Sequence, residues 1–186
     1  YMYRRICLLF LLYVSYSLHS QSINPTYQAK FRKICSLPSP ISESSGLVMS
    51  LHSTFWTHGD GKNPDKLYEF DSTGNLLREL TIDNATNIDW EDITCDSMGN
   101  LFLGDVGNND CDRTDLKIYL IANPNLHDSV SIHAKVLNFT FEDQLIIPSP
   151  IGNRNFDVEG ITTYKDSLLL FTKNRAFPNS GFTKVY

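Results

Sequence analysis

The sequence predicts an all-β chain in which one supersecondary unit is repeated, and three observations predict it. A short acidic phrase recurs: Asp89-Trp90-Glu91-Asp92-Ile93 is echoed by Asp157-Val158-Glu159-Gly160-Ile161, and more faintly by Glu43-Ser44-Ser45-Gly46-Leu47. An apolar run follows each phrase at a near-constant distance: Leu47 to Trp56 is nine residues, Ile93 to Leu103 ten, and Ile161 to Leu170 nine. A second short run comes next, at 66–70, 117–121 and 183–186. The unit starts lie 46 residues apart (Leu47 to Ile93) and then 68 (Ile93 to Ile161), the longer spacing reflecting an extra strand and a loop insertion within 123–155. A period near 45 with several short strands per unit is the signature of β-propeller blades.

The elements can be justified in chain order. Arg4-Arg5, the apolar run 6–14 and the small polar stretch 15–20 have the three-part pattern of a secretory signal peptide over 1–20, with a cut near Ser20-Gln21. The apolar run is short for a membrane span, although an uncleaved anchor is the alternative. Export would place the mature chain outside the cell, in the periplasm or at the cell surface, with no membrane span. Residues 21–40 precede the repeats, and 27–37 reads as a strand, either closing a ring as the outer strand of a last blade or lying at an edge. The propeller domain is expected over 41–186, with blades at about 41–83, 87–143 and 155–186. In the first blade, strands A to D fall at 45–51, 54–58, 66–71 and 76–82. In the second they fall at 89–96, 100–106, 116–121 and 134–142, the last alternating Val136, Asn138, Thr140 against Leu137, Phe139, Phe141. Asp71-Ser72-Thr73-Gly74-Asn75 and Ser97-Met98-Gly99-Asn100 are turns, since Gly and Asn tolerate positive φ. The third blade has A, B and the start of C. Propellers close with about four to eight blades, so the chain reads as the N-terminal part of a longer polypeptide.

Composition narrows the partners. The formal charge is −5, and removing residues 1–20, which carry Arg4 and Arg5, takes it to −7. With 41% apolar and 12% aromatic residues this is the make-up of a globular protein, and no basic stripe exists to neutralise nucleic-acid phosphates. Cys35, Cys95 and Cys111 remain after the leader, without a Cys-x-x-Cys pair. One disulfide fits an exported chain, its pairing open. Sequons at Asn84 and Asn138 matter only in a glycosylating host. Gly-Lys-Ser, Gly-x-Ser-x-Gly and His-Glu-x-x-His patterns do not occur.

In a blade the start of strand A and the end of strand B share one face. That places Asp89 and Glu91 near Asp105 and Asn108, Asp157 and Glu159 near Lys173 and Asn174, and Glu43 and Ser45 near His58 and Asp60. These groups from successive blades converge on one axis. Oxygen donors of this kind suit Ca²⁺ or Mg²⁺. The same acids also suit loop capping and pairing with Lys or Arg of a neighbouring blade, and both readings stand at this stage. The loop 105–115 begins like an EF-hand at Asn108, but Arg113 stands where Gly is required and Tyr119 where the bidentate Glu belongs, so an EF-hand is rejected. A non-EF calcium loop and a solvated turn remain.

The phrases around Ser45-Gly46-Leu47, Phe55-Trp56-Thr57-His58, Asp89–Ile93, Gly104–Asn109 and Asp157–Ile161 resemble exported bacterial six-bladed propellers. They are loosely similar to the gluconolactonase/regucalcin group and to the esterase-like propellers associated with phytases. The resemblance implies a divalent cation at the channel mouth, with Glu159 most like the family's glutamate and Glu91, Asp105, Asn108 and Asn174 as partners. His58, Asp60, Asp89, Asp157 and Lys173 are the expected ligand-binding residues. The function expected is an exported binding or scaffold module with an acidic channel face, whose partner is a small molecule or a protein. The alternative is a divalent-metal-dependent hydrolase of lactones or phosphoesters.

Overall fold

The structure, a computed structural model, describes residues 29–186, so the leader expected over 1–20 lies outside the described residues. The chain from Lys33 to Tyr186 forms one compact unit. Its strands are β1 (Ser44–Met49), β2 (Phe55–Gly59), β3 (Lys66–Phe70), β4 (Leu76–Ile82), β5 (Trp90–Cys95), β6 (Leu101–Asp105), β7 (Lys117–Ile121), β8 (Ser131–Ile132), β9 (Lys135–Asn138), β10 (Asp157–Tyr164) and β11 (Ser167–Lys173). They make three sheets, ordered β1-β2-β3-β4-β8, β5-β6-β7-β9 and β10-β11. Sequential antiparallel pairing of four strands in each of the first two sheets, and of β10 with β11 in the third, is the meander of a blade. In the third sheet a single bridge, Phe171 to Val185, marks where the next strand begins.

The turns come from local side-chain chemistry. In 71–75 and 96–100 the same five-residue device recurs. Asp71 Oδ1 accepts from the backbone N–H groups of Thr73 (2.8 Å) and Asn75 (3.0 Å), and Asp96 Oδ1 from those of Met98 and Asn100 (both 2.9 Å). Gly74 (φ +89°) and Gly99 (φ +83°) supply the left-handed step. At Gly99 a Cβ would also run into the Asn123 amide, which bonds back to Met98 O at 2.8 Å. Gly99→Ala is therefore expected to cost about 2 kcal/mol or more, read as a lower midpoint in urea with an unchanged slope.

Two cores hold the sheets together. Trp56, Leu67, Leu80 and Ile82 of the first sheet meet Trp90, Ile93, Leu101, Leu103, Tyr119 and Ile121 of the second. Val106, Leu116, Ile118 and Phe141 meet Phe156, Val158 and Ile161 of the third. The period-2 alternation explains the division: in the second sheet Leu101 and Leu103 face the first sheet, while Phe102 packs with the core shared with the third. Asp92 rivets the inner strands, taking Ile93 N–H on Oδ1 (2.8 Å) and Ile161 N–H on Oδ2 (2.7 Å).

Three expectations need correction. The segment expected as a strand over 27–37 has no strand pairing in its described part, 29–37. The outer edge of β4, where a strand could have joined the first sheet, is taken by β8, and Leu37 instead packs on Ile41, Tyr68 and Phe70. The fourth strand of the second sheet is shorter than 134–142 and is exposed along its length, not half-buried. The extra strand of the insertion belongs to the neighbouring sheet: β8 pairs parallel with β4, Thr81 opposite Ser131 and Ile82 opposite Ile132. Around it Asn84 exchanges two 2.9 Å hydrogen bonds with the Ala134 backbone, and Arg78 donates to Pro124 O at 3.0 Å. This clasp ties the first two sheets at their rim and covers a sheet edge.

Candidate functional site

One backbone irregularity recurs in all three inner strands. The register slips between Ser44 and Leu47 in β1, between Trp90 and Asp92 in β5, and between Val158 and Gly160 in β10. The extra residue is Ser45, Glu91 and Glu159 respectively. A bulge re-aims the side chain it carries, and here it does so at the same level of three neighbouring strands. β5 lies beside both β1 and β10, and Ser45 Oγ donates to Glu91 O at 2.9 Å across the first seam. The acidic phrase is thus a device for presenting one side chain per sheet.

Two groups of carboxylates result, each with ligand atoms within 4.8 Å of one another: Asp60, Asp89 and Glu91, and Glu91, Asp157 and Glu159. Glu91 belongs to both. Asp157 is fully buried and charge-paired, accepting from Arg175 Nε (2.6 Å) and from the Asn108 backbone N–H (2.6 Å). Glu159 takes Arg175 Nη2 at 2.8 Å and Lys173 Nζ at 3.0 Å. Among the described residues Glu91 has no cationic partner. Burial first, then the charges of Glu159, Asp89, Asp157 and Asp60, push its carboxyl up to about 8. Burial also raises Asp89, against the pull of Arg113.

Two glycines leave room for these oxygens. A Cβ on Gly61 would stand 2.5 Å from Asp89 Oδ1, and one on Gly107 would collide with Asp89 Oδ2 and stand 2.5 Å from Glu91 Oε1. Gly107 is held there by Arg113, whose Nη1 donates to Gly107 O at 2.8 Å while Nη2 reaches Asp105 Oδ1 at 3.0 Å. An all-oxygen donor set with unneutralised charge and a glycine-walled approach fits a hard divalent cation.

Of the residues singled out in the sequence, Asp60, Asp89, Glu91, Asp157 and Glu159 come together, and Lys173 joins as a partner of Glu159. The others are engaged elsewhere. Asp105 is fully buried, its Oδ1 accepting from Asp89 N–H (3.1 Å) and Arg113. Asn108 spends its side chain on Asp112 N–H (2.9 Å), Arg113 N–H (3.0 Å) and Phe156 O (3.3 Å). Asn174 bonds Ser180, Phe182 O and Ala176 N–H. His58 is buried, its Nδ1 donating to Gly59 O at 2.9 Å and its ring edge-on to Trp90 at 5.8 Å; burial lowers it to about 4, so it is neutral at physiological pH. In the loop 105–115, Asp110 pairs with Arg154 (2.8 Å) and Asp115 with Arg113 (3.0 Å), and neither Asp110 nor Asp112 joins a carboxylate group. Among the described residues Cys35, Cys95 and Cys111 are free thiols.

Asn87 and Asn155 were missed. Each precedes its bulged glutamate by four residues, a repeat visible in the sequence. Asn87 donates to Gly59 O (3.2 Å) and Asp60 O (2.9 Å) and accepts from Trp90 N–H (3.1 Å). It thereby fixes the Asp60 corner against the start of β5. Asn155 accepts from Thr172 Oγ1 at the matching place in the third sheet.

No protein-family model matches the chain, and no curated protein matches it. Among solved structures it is similar to a streptogramin B lyase (15% identity, TM-score 0.45, covering 81% of this chain and 42% of that one). It is also similar to virginiamycin B lyase from Staphylococcus aureus (17% identity, TM-score 0.43, 81% and 43%), including the inactive H270A form with quinupristin (18% identity, TM-score 0.43). Those lyases are β-propellers, but not of the lactonase or phytase-associated groups that the motifs resemble. The chain spans about two fifths of their length.

Proposed function

We propose that this chain is part of an exported β-propeller binding module whose channel face holds a divalent cation. The observation that supports it most is the repeated bulge, which presents Glu91 and Glu159 beside Asp60, Asp89 and Asp157 and leaves Glu91 without a counter-charge among the described residues. Asp60, Asp89 and Glu91, with Glu159 alongside, would hold Ca²⁺ or Mg²⁺. Arg175 and Lys173 partly neutralise Asp157 and Glu159, so the face retains net negative charge for a cation. A cation with coordination positions left open would take an oxygen-bearing ligand from the channel side. The second reading, a hydrolase of lactones or phosphoesters, is favoured by one feature: Glu91 titrates near 8, close to where a general acid or base works best. A bound cation would there polarise a carbonyl or phosphoryl oxygen.

The test is thermal unfolding of the protein with Ca²⁺ and Mg²⁺ titrated separately. Saturating cation should raise the melting temperature of the parent, and Glu91→Gln, Glu159→Gln and Gly107→Ala should each weaken the apparent affinity at least tenfold. Melting curves indifferent to both ions would overturn the cation reading. If the ion binds, turnover of lactone and phosphoester panels, with Glu91→Gln as control, separates the hydrolase from the binding module.

A further inference from the structure

We propose that Asn87 is the positioning residue of the candidate cation site, the group that sets Asp60 of the first sheet against Asp89 and Glu91 of the second. The inference rests on the cation reading and adds the means by which two separate sheets present one set of oxygens. Asp60 follows β2, whereas Asp89 and Glu91 flank Trp90 at the start of β5. Calcium holds its oxygens at about 2.3–2.6 Å, so donors carried on two sheets have to be fixed relative to each other to within a fraction of that.

Asn87 fixes them with every polar group it has, and it is 5% exposed. Toward the first sheet its side-chain amide donates to Gly59 O (3.2 Å) and Asp60 O (2.9 Å). Its backbone N–H donates to Asp65 Oδ1, and its backbone carbonyl accepts from Lys62 N–H at 3.2 Å. Toward the second sheet its Oδ1 accepts from Trp90 N–H at 3.1 Å. The first set grips the loop that carries Asp60, and the last bond grips the residue between Asp89 and Glu91. Gly61 of that loop packs directly on the strand entry: a Cβ there would stand 2.5 Å from Asp89 Oδ1 and 3.0 Å from Ile88 O. Among the described residues the Asp60 carboxylate accepts only from Gly61 N–H (2.8 Å), so the backbone of the loop is what aims it. The other bridge at this level, Ser45 Oγ to Glu91 O, does not touch Asp60. Asn155, the counterpart four residues before Glu159, is used differently. It donates to Phe182 O (2.9 Å) and accepts from Thr172 Oγ1 (2.6 Å), both in the third sheet and the loop that follows it. The amide crosses a seam where Asp60 joins the site.

A double-mutant cycle in cation affinity tests this, with calcium and magnesium titrated separately by calorimetry. Asn87→Ala should weaken binding at least tenfold and Asp60→Asn by a comparable factor. The double variant should fall no more than twofold below the weaker single one, because Asn87 acts through Asp60. Gly99→Ala, in the turn at the far end of the second sheet, loosens the fold away from the site and should bind within twofold of the parent. Far-ultraviolet circular dichroism confirms that each variant is folded, and Asn87→Ser replaces Asn87→Ala if that one is not. Losses that multiply in the double variant, an Asn87→Ala affinity equal to the parent's, or an equal loss in Gly99→Ala would each overturn the proposal and leave the cation reading standing. A parent that binds neither ion would overturn the cation reading and this inference with it.

Discussion

Trp90→Ala should be the most damaging single substitution in this chain. Trp90 is the first residue of β5 and is fully buried. It stands edge-on to His58 at 5.8 Å and to Tyr119 at 6.1 Å, in the core that joins the first two sheets. Truncating a buried tryptophan costs about 3–5 kcal/mol, from lost contact and the cavity left behind. Domains have only about 5–15 kcal/mol in total, so the variant should lose most of its cooperative unfolding transition or melt far below the parent. The indole N–H has no partner among the described residues, so Trp90→Phe gives up volume but no hydrogen bond and should cost clearly less. The damage should also reach the site, because Trp90 separates Asp89 from Glu91 along β5, although its backbone N–H to Asn87 Oδ1 survives in both variants. Paired melts of the parent, Trp90→Ala and Trp90→Phe check this. Equal midpoints for the two variants would mean that volume in the seam is not what stabilises it.

The inner strands and the two glutamates were legible because their causes are local. A strand pair joined by a tight turn has period-2 apolar alternation and a fixed spacing from phrase to run, and both survive in the sequence. Ser45, Glu91 and Glu159 stand at the same offset from their isoleucine or leucine, and that offset becomes the bulge. The clasp was not legible. Ser131 and Ile132 are two residues long as a strand, and their partner in β4 lies about 50 residues back, as the Asn84–Ala134 exchange shows (a separation of 50). No alternation develops over two residues, so the pairing has no pattern to read.

The misplaced ligands follow from a related limit. Composition shows that a loop is acidic, but not which carboxylates find cations. Asp105 and Asp89 both end near the same corner, yet Asp105 is met by Arg113 and, at 3.8 Å, by Lys117, whereas Asp89 lies against Gly61 and Gly107. The difference depends on Arg113 folding back across the β6–β7 loop, a contact that no spacing rule encodes. Asn87 and Asn155 were readable, since asparagine recurs four residues before each glutamate; attention to the charged members of the phrase hid them.

The second large effect is a stability curve that bends with pH because of Glu91. Its carboxyl is pushed up to about 8 in the folded chain from an ordinary 4.5, so between those values the folded chain holds a proton that the unfolded chain has released. Stability then falls as pH rises across that window and levels off above about 8. Burial moves Asp89 and Asp157 in the same direction, which steepens the fall. Asp115 and Asp143, lowered by their Arg113 and Lys184 partners, act with the opposite sign at more acid pH and cancel when two variants are compared. Glu91→Gln keeps the volume without the charge. Without divalent ions it should melt above the parent at pH 8.5, and the two should converge by pH 5. Calcium should narrow the gap at pH 8.5. At one hundred times its dissociation constant a ligand stabilises by about 2.7 kcal/mol, and the parent, with its full set of carboxylates, gains most of that. Chelator-treated and calcium-loaded melts of both proteins from pH 5 to 8.5 supply the four curves. Parallel curves without calcium would show that Glu91 does not carry the strained charge. A gap left unchanged on loading would show that the charge is strained for some purpose other than holding a cation.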